Sequence, residues 1–308
     1  MISLPFIVTF AALLIPVYGQ TKIVLSNDDG WAVAQIRAER DTLKAAGFDV
    51  ILSSPAQGKS GSGSSSTTPT TLDEPCEFDS CTAGSPPTGF NASDTRLNYV
   101  NAFPVDAARF GIQTLAPQFF NSPPDLVVTG PNVGSNLGVQ VFFSGTVGAA
   151  SEAAKEGISA IAFSGQSTAQ ESFTALESSP NSPSVTAALL YSQLTVKFLN
   201  TILASSARPI VPAKTVVNVN FSPTTDNCTR VEDFDWVFSR SLPDPLHLET
   251  DVETCGTTHL PTESTVVGRS GCHASVSVIS ATSKFGVGAS EQGAVLNRIS
   301  TILSCLQT

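Results

Sequence analysis

The stretch Ile23-Val24-Leu25-Ser26-Asn27-Asp28-Asp29-Gly30 decides how this chain is read. Its apolar start, with Lys22 and Ser26 on either side, predicts a short strand over residues 22–26. The strand runs straight into two adjacent acids. In open α/β sheets the functional crevice lies outside the carboxyl ends of the strands, which is where Asp28 and Asp29 fall. Successive strand residues point to opposite faces, so both acids reach one point only if the chain turns there. Asn27 and Gly30 supply that turn chemistry. Two readings follow. Adjacent carboxylates repel each other, and a cation between them would relieve the repulsion. The plainer reading is a solvated turn in which Asp29 caps the next helix.

The elements that follow alternate. Residues 33–46 carry Ile36, Leu43 and Ala46 at helical spacing, and 48–53 form a second strand. Residues 104–116 are helical, 125–129 a buried strand, 144–157 an Ala-rich helix and 159–164 a strand. A long apolar helix at 184–203 and a strand at 215–220 complete the series. Strand–helix alternation of this kind predicts an α/β fold with a mostly parallel sheet flanked by helices. Residues 58–71 read as a Ser/Gly/Thr loop, and 74–96 as an exposed excursion. From 222 to 272 the pattern breaks, with hairpin material at 233–239; a strand at 274–281 and an amphipathic helix at 289–305 close the chain. This divergent, β-rich C-terminal part is either a small subdomain or an arm on the main sheet. The expected layout is one domain over 20–308 with its core at 22–220.

Three more loops follow strands at the same edge. Lys59-Ser60-Gly61-Ser62-Gly63 offers hydroxyls and free backbone, suited to a hard cation or a phosphate, or else is only a flexible linker. Gly130 to Gly138 holds Asn132 and Asn136, short neutral side chains able to bind a cation or a phosphoryl oxygen, or to make an ordinary turn. Ser144-Gly145-Thr146 opens the Ala-rich helix, where exposed N–H groups and the dipole favour an anion; the alternative is a simple N-cap. Acids for a metal beside a helix start for phosphate specify metal-assisted phosphoryl transfer to water. Other schemes fare worse. His247, His259 and His273 all lie in the irregular C-terminal part, and no Gly-x-Ser-x-Gly elbow precedes them. No P-loop is present.

Composition agrees. Apolar residues are 41% of the 308 and charged ones 14%, enough for a large core and against disorder. A net charge of −10, with 16 Lys and Arg and no basic run, argues against nucleic-acid binding. An acidic surface also repels phosphate esters, so an anion site must rest on metal or backbone N–H groups. Residues 1–19 are apolar, broken by Pro5 and Pro16, and read as a secretory signal cut after Gly19 rather than a membrane anchor. Cys76, Cys81, Cys228, Cys255, Cys272 and Cys305 fit three disulfides in a secreted, extracellular protein, with Cys76–Cys81 the favoured pair. A zinc site lacks a nearby histidine partner. Sequons at Asn91, Asn220 and Asn227 offer glycosylation, Asn220 least favourably because it ends an apolar strand.

Four ordered blocks resemble the SurE-like phosphatases and nucleotidases: VLSNDDG (24–30), KSGSG (59–63), VVTGPNVGSNLG (127–138) and FSGTVGAASEAAKEGISAIAFS (143–164). A weaker echo is VVNVNFSP (216–223). The resemblance implies a Rossmann-like core, one divalent ion (Mg or Mn) and hydrolysis of small phosphate monoesters, including nucleoside monophosphates. It implies Asp28, Asp29, Ser60 and Asn132 as metal ligands, with the two acids catalytic. It places Asn136, Ser144, Gly145 and Thr146 around the phosphate. The mechanism it implies is attack on phosphorus by a metal-activated water. It also allows a homodimer built through C-terminal arms. Trp31-Ala32-Val33-Ala34-Gln35 and Ala102-Phe103-Pro104 depart from the family pattern, near what the resemblance implies is a substrate-facing rim. Signal, cysteines and sequons point to an extracellular, fungal-type acid-phosphatase branch. A strict 5'- or 3'-nucleotidase and a secreted, non-catalytic binding protein are the alternatives.

Overall fold

The computed structural model describes residues 19–166, 169–224, 227–246 and 250–307. The expected leader lies outside these residues but for Gly19, and His247 lies outside them too. Nine strands form one sheet: β1 (Lys22–Ser26), β2 (Asp49–Pro55), β3 (Thr88–Asn91), β4 (Asp94–Val100), β5 (Leu126–Val133), β6 (Ala160–Gly165), β7 (Thr215–Phe221), β8 (Asp235–Phe238) and β9 (His273–Ser280). Their order is β3-β4-β2-β1-β5-β6-β7-β9-β8. The run from β4 to β7 is parallel, while β3 and β9 pair antiparallel to their inner neighbours.

Strand order reverses at β1. The chain steps to one side for β2 and β4, then crosses back to β5 and continues to β6 and β7. The gap between the ends of β1 and β5 is therefore the topological switch point, where a crevice opens between diverging connections. Ser26 pairs with Thr129 there, so the acid turn and the Gly130–Gly138 loop leave the sheet side by side.

Both faces are covered, which is why the inner strands are apolar throughout. Ile23, Leu25, Leu126 and Val128 pack beneath α1 (Ala34–Ala45). Val24, Val127 and Ala162 face the other way, towards α2 (Pro104–Phe110), a π-turn at Gly111–Leu115, α3 (Ala116–Phe120) and α4 (Gly145–Lys155). A single turn, α5 (Ala175–Ser178), lies against α1, and α6 (Pro183–Ile202) packs along it. In the C-terminal part α7 (Glu263–Val267) sits on β7 and β9, and α8 (Ala289–Ile299) lies on α6.

The structure corrects the sequence reading in three places and decides between two alternatives in a fourth. The excursion at 74–96 holds a hairpin: β3 and the start of β4 extend the sheet, with β4 parallel to β2. Its prolines and Gly89 break the alternation that would have revealed it. Residues 235–238, by contrast, form no hairpin; β8 runs parallel to β9 at the sheet edge. Trp236 anchors it, stacking on Phe198 of α6 at 5.5 Å and meeting Phe221 edge-on at 5.8 Å. The last helix stops at Ile299 because the chain end is pulled along β8: the Ser304 N–H donates to the Trp236 carbonyl at 2.7 Å. Finally, the C-terminal strands β9 and β8 continue the same sheet. Three disulfides fasten the periphery, Cys76–Cys81 as favoured, Cys228–Cys272 and Cys255–Cys305.

Candidate active site

Asp28 and Asp29 are both buried at the switch point, 3% and 0% exposed. Asn27 closes the turn by donating to the Gly30 carbonyl at 2.8 Å and accepting the Gly30 N–H at 3.3 Å. The turn splits the two carboxylates between different partners. Asp28 accepts the Thr146 hydroxyl at 2.6 Å and the Gly145 N–H at 3.1 Å, at the start of α4. Asp29 accepts the Val133 N–H at 2.8 Å and an amide hydrogen of Gln170. Neither acid caps α1, whose N-cap Val33 has no side-chain bond.

Burial raises the Asp28 carboxyl above the usual range, against the pull of the Thr146 and Gly145 donors. Asp29 is raised further, first by burial and then by the neighbouring Asp28 charge. Among the described residues no Lys, Arg or His is bonded to either acid. Glu77, held at about 7 by burial, stands close enough to push Asp29 in the same direction. It accepts the Ala32 N–H at 2.7 Å from the loop closed by Cys76–Cys81. Charge on this pair is disfavoured unless a proton or a cation offsets it.

The donors around them are neutral oxygens. Asp28, Ser60, Gly61, Asn132, Asn136, Gln140 and Phe143 line an open cleft of about 240 Å³. The Asn132 amide donates to the Gly134 carbonyl at 2.7 Å, which turns its Oδ1 towards Thr146, 3.4 Å away. A shift in register between β5 and β6 at 129–132 swings Asn132 to this edge. Ser60 lies exposed at the cleft. The neighbouring Ser62 hydroxyl is buried and has no hydrogen-bond partner among the described residues. The Ser-Gly loop that presents them is docked tightly: Lys59 N–H donates to the Asp28 carbonyl at 2.7 Å and Gly63 N–H to Phe143 at 2.8 Å. A methyl added at Gly145 would lie 2.7 Å from Ser62 Oγ and 2.8 Å from Asp28 Cβ; one at Gly148 would lie 1.8 Å from the Gly63 carbonyl. Glycine at both positions lets loop, helix and acid meet.

Residues expected to surround a phosphate divide into two sets. Ser144 is an N-cap, its hydroxyl accepting the Val147 N–H at 3.0 Å, and Gly145 and Thr146 donate to Asp28. The helix start thus holds a carboxylate. Asn136 is gripped from below: its N–H donates to Asn220 Oδ1 at 2.8 Å, and its carbonyl accepts from Asn218 at 3.0 Å and Asn220 at 3.2 Å. Its side chain donates to Ser164 at 2.7 Å.

Asn220 is accordingly no glycan acceptor, because it is wholly buried with both amide atoms engaged. Asn227 is exposed and Asn91 half-buried. Trp31 is not on a rim: it is 3% exposed, donates to Ser80 at 3.0 Å and packs on Tyr99 and Arg37. Neither His259 nor His273 lines the cleft. The sequence reading missed Gln170, Glu77, Asn218 and Glu263. Only the asparagines left a trace: Asn218 and Asn220 alternate within VVNVNF, which puts two polar groups on one face of a buried strand.

Comparison with known proteins bears on this arrangement. A family described as survival protein SurE matches residues 23–238, so the likeness runs past residue 222 and through β8. An acid phosphatase of Yarrowia lipolytica is 32% identical over 291 residues, 85% of this chain and 79% of that one. A 5'-nucleotidase SurE of Thermosynechococcus vestitus is 31% identical over 65% of this chain, which spans 63% of that protein. One of Desulfitobacterium hafniense is 37% identical over 46%, and half of its length is matched. The crystal structure of a SurE protein from Aquifex aeolicus shares the fold, with a TM-score of 0.57 at 24% identity, over 84% of this chain and 93% of that one. With acid turn, Ser-Gly loop, asparagine loop and helix start all at one sheet edge, and the family match running across them, the chain belongs to the SurE family.

Proposed function

We propose that this protein hydrolyses small phosphate monoesters with the help of one divalent cation, magnesium or manganese. The observation that supports this most is the buried pair Asp28-Asp29, both raised by burial and Asp29 also by the Asp28 charge, with neutral donors bonded to each. The donor set fits a hard ion. Asp28, Asp29, Asn132 Oδ1 and a hydroxyl of the Ser60–Ser62 loop are all oxygens, the chemistry magnesium and manganese prefer. Among the described residues no group of three or more His, Cys, Asp and Glu is placed to hold a metal, which leaves Asn132 and serine to complete the set. When bound, such an ion supplies Lewis acidity, neutralising phosphoryl charge and acidifying water.

The chain's own residues do the rest. Thr146 and Gly145 fix the Asp28 carboxylate, and Val133 and Gln170 fix that of Asp29, so neither acid must reorganise when charge appears in the cleft. Asn136 and Gln140 line the side where a phosphoryl oxygen would lie. Water forms the new bond to phosphorus, the ester oxygen leaves as an alcohol, and inorganic phosphate remains. Relatives named acid phosphatase and 5'-nucleotidase support this reaction class and, in the second case, nucleoside monophosphates as substrates.

The protein is further proposed to be secreted: three disulfides and the apolar leader support it, as do sequons at Asn91 and Asn227. Phosphate release from p-nitrophenyl phosphate and nucleoside monophosphates, with Mg or Mn and after EDTA, tests the proposal. Release that survives both EDTA and Asp28→Asn would refute the metal role. Release from nucleotides alone would narrow the reading to a strict nucleotidase, and none from either substrate would favour a binding protein.

A further inference from the structure

The asparagine side of the cleft stands on a buried carboxylate that the proposed reaction does not use. Glu263, the first residue of α7, is 0% exposed. Its Oε1 accepts from Asn218 Nδ2 at 2.7 Å and from the Ser277 hydroxyl, and its Oε2 accepts the Gly138 N–H at 3.4 Å. Asn218 Nδ2 also donates to the Asn136 carbonyl at 3.0 Å. One carboxyl group thereby binds two ends of the same loop, Gly138 directly and Asn136 through Asn218.

The sheet explains why these groups converge. Asn218 of β7 and Ser277 of β9 are cross-strand partners, as are Asn220 and Ser275, and all four are wholly buried. The alternation of β7 and β9 therefore lays a polar strip beneath the loop, and Glu263 closes it from above. Asn218, Ser277 and Gly138 meet the Glu263 carboxyl as neutral amide, hydroxyl and backbone donors. Arg240, whose carbonyl accepts the Glu263 N–H at 2.9 Å, turns its guanidinium to Asp251 and Asp244. A buried carboxylate held by such donors is costly to leave half-satisfied, so it fixes their positions.

We propose that Glu263 is a positioning residue for phosphate binding: from the C-terminal part of the chain it holds the Asn136–Gly138 segment in place at the cleft. This rests on the reading that Asn136 faces the phosphoryl group. Burial raises the Glu263 carboxyl to about 7, so its three donors meet a full charge only above that value. Replacing it with glutamine keeps the shape, removes one acceptor and turns a donor against donors.

The test uses the full secreted chain, with the affinity for inorganic phosphate measured by calorimetry beside the KM for p-nitrophenyl phosphate, at pH 5 and pH 8. Glu263→Gln is expected to weaken phosphate binding and raise KM about tenfold at pH 8, equivalent to about 1.4 kcal/mol, and less at pH 5. The manganese concentration for half-maximal binding, read by calorimetry without substrate, stays within about twofold of wild type, because the acid pair is held by other donors. Ser277→Ala, which removes one donor and leaves the carboxyl in place, shifts phosphate affinity in the same direction by a smaller factor. That variant stands in if Glu263→Gln does not fold. Unchanged phosphate affinity at both pH values in folded variants overturns the proposal, and so does an equal loss of phosphate and manganese affinity. A wild-type chain that binds phosphate without turning over substrate defeats the proposed function alone. One that does neither defeats both.

Discussion

The two sides of the cleft are built differently. The acid side comes from contiguous sequence: the turn after β1, the Ser-Gly loop after β2, the loop after β5 and the start of α4. Each contributes several neighbouring residues, and parallel pairing brings them to one edge. The asparagine side draws single residues from distant places, Asn218 and Asn220 on β7, Ser277 on β9 and Glu263 on α7. Chemistry that needs several ligands within one turn is written as a motif. Support beneath it needs only one side chain per element, and sheet pairing supplies the proximity.

That contrast can be broken at its stronger side first. Asp29→Asn should lower kcat/KM for p-nitrophenyl phosphate by about 10² to 10³, the scale for losing a fixed charge in a dry site. In metal-free protein the same change should raise Tm or leave it unaltered, because it removes a carboxyl whose charged form burial and Asp28 disfavour. A variant that loses both activity and metal-free stability would show that the pair serves folding instead.

Trp236→Ala probes the C-terminal part. It leaves a cavity beside Phe198 and Phe221 and should cost about 3–5 kcal/mol by urea unfolding, with manganese affinity unchanged. Coupled loss of metal binding would mean that the two sides are not separable. Gly148→Ala tests the close approach on the acid side. Its methyl would meet the Gly63 carbonyl at 1.8 Å and push the Ser-Gly loop outward, costing about 1–3 kcal/mol and weakening manganese binding in calorimetry.

The pH dependence gives a smaller effect. Glu77 and Glu263 are both raised from an ordinary 4.5 to about 7 by burial. Within that window each is neutral in the fold and ionised in the unfolded chain. Their stabilising contribution is therefore full below 4.5 and lost as pH rises through about 7. Tm of the EDTA-treated protein should fall by several degrees between pH 4.5 and pH 7.5 in calorimetry. Glu263→Gln should flatten part of that slope. Added manganese should raise Tm more at the higher pH, where the acid pair bears more charge. A Tm that rises with pH in EDTA would contradict the burial of these carboxyls.

Much of this molecule is legible in its sequence. The alternation of strand and helix over residues 22–220, the acid turn, the Ser-Gly loop and the α4 start are local patterns, and local patterns survive as sequence. The β3–β4 hairpin and the parallel β8 are not legible there, since edge strands are short and owe their shape to a neighbour. The Cys76–Cys81 loop shows both sides at once: its pairing follows from close spacing, but its placement of Glu77 beside Asp29 does not. Which oxygens stand as candidates for a cation or a phosphate can be read from the amino-acid order alone, because adjacent residues share one turn. That Asp28 occupies the helix start, and that Glu263, 125 residues from Gly138, holds the loop on the far side, is settled by the folded arrangement. Those choices depend on sheet pairings between segments far apart in the chain, which no local pattern records.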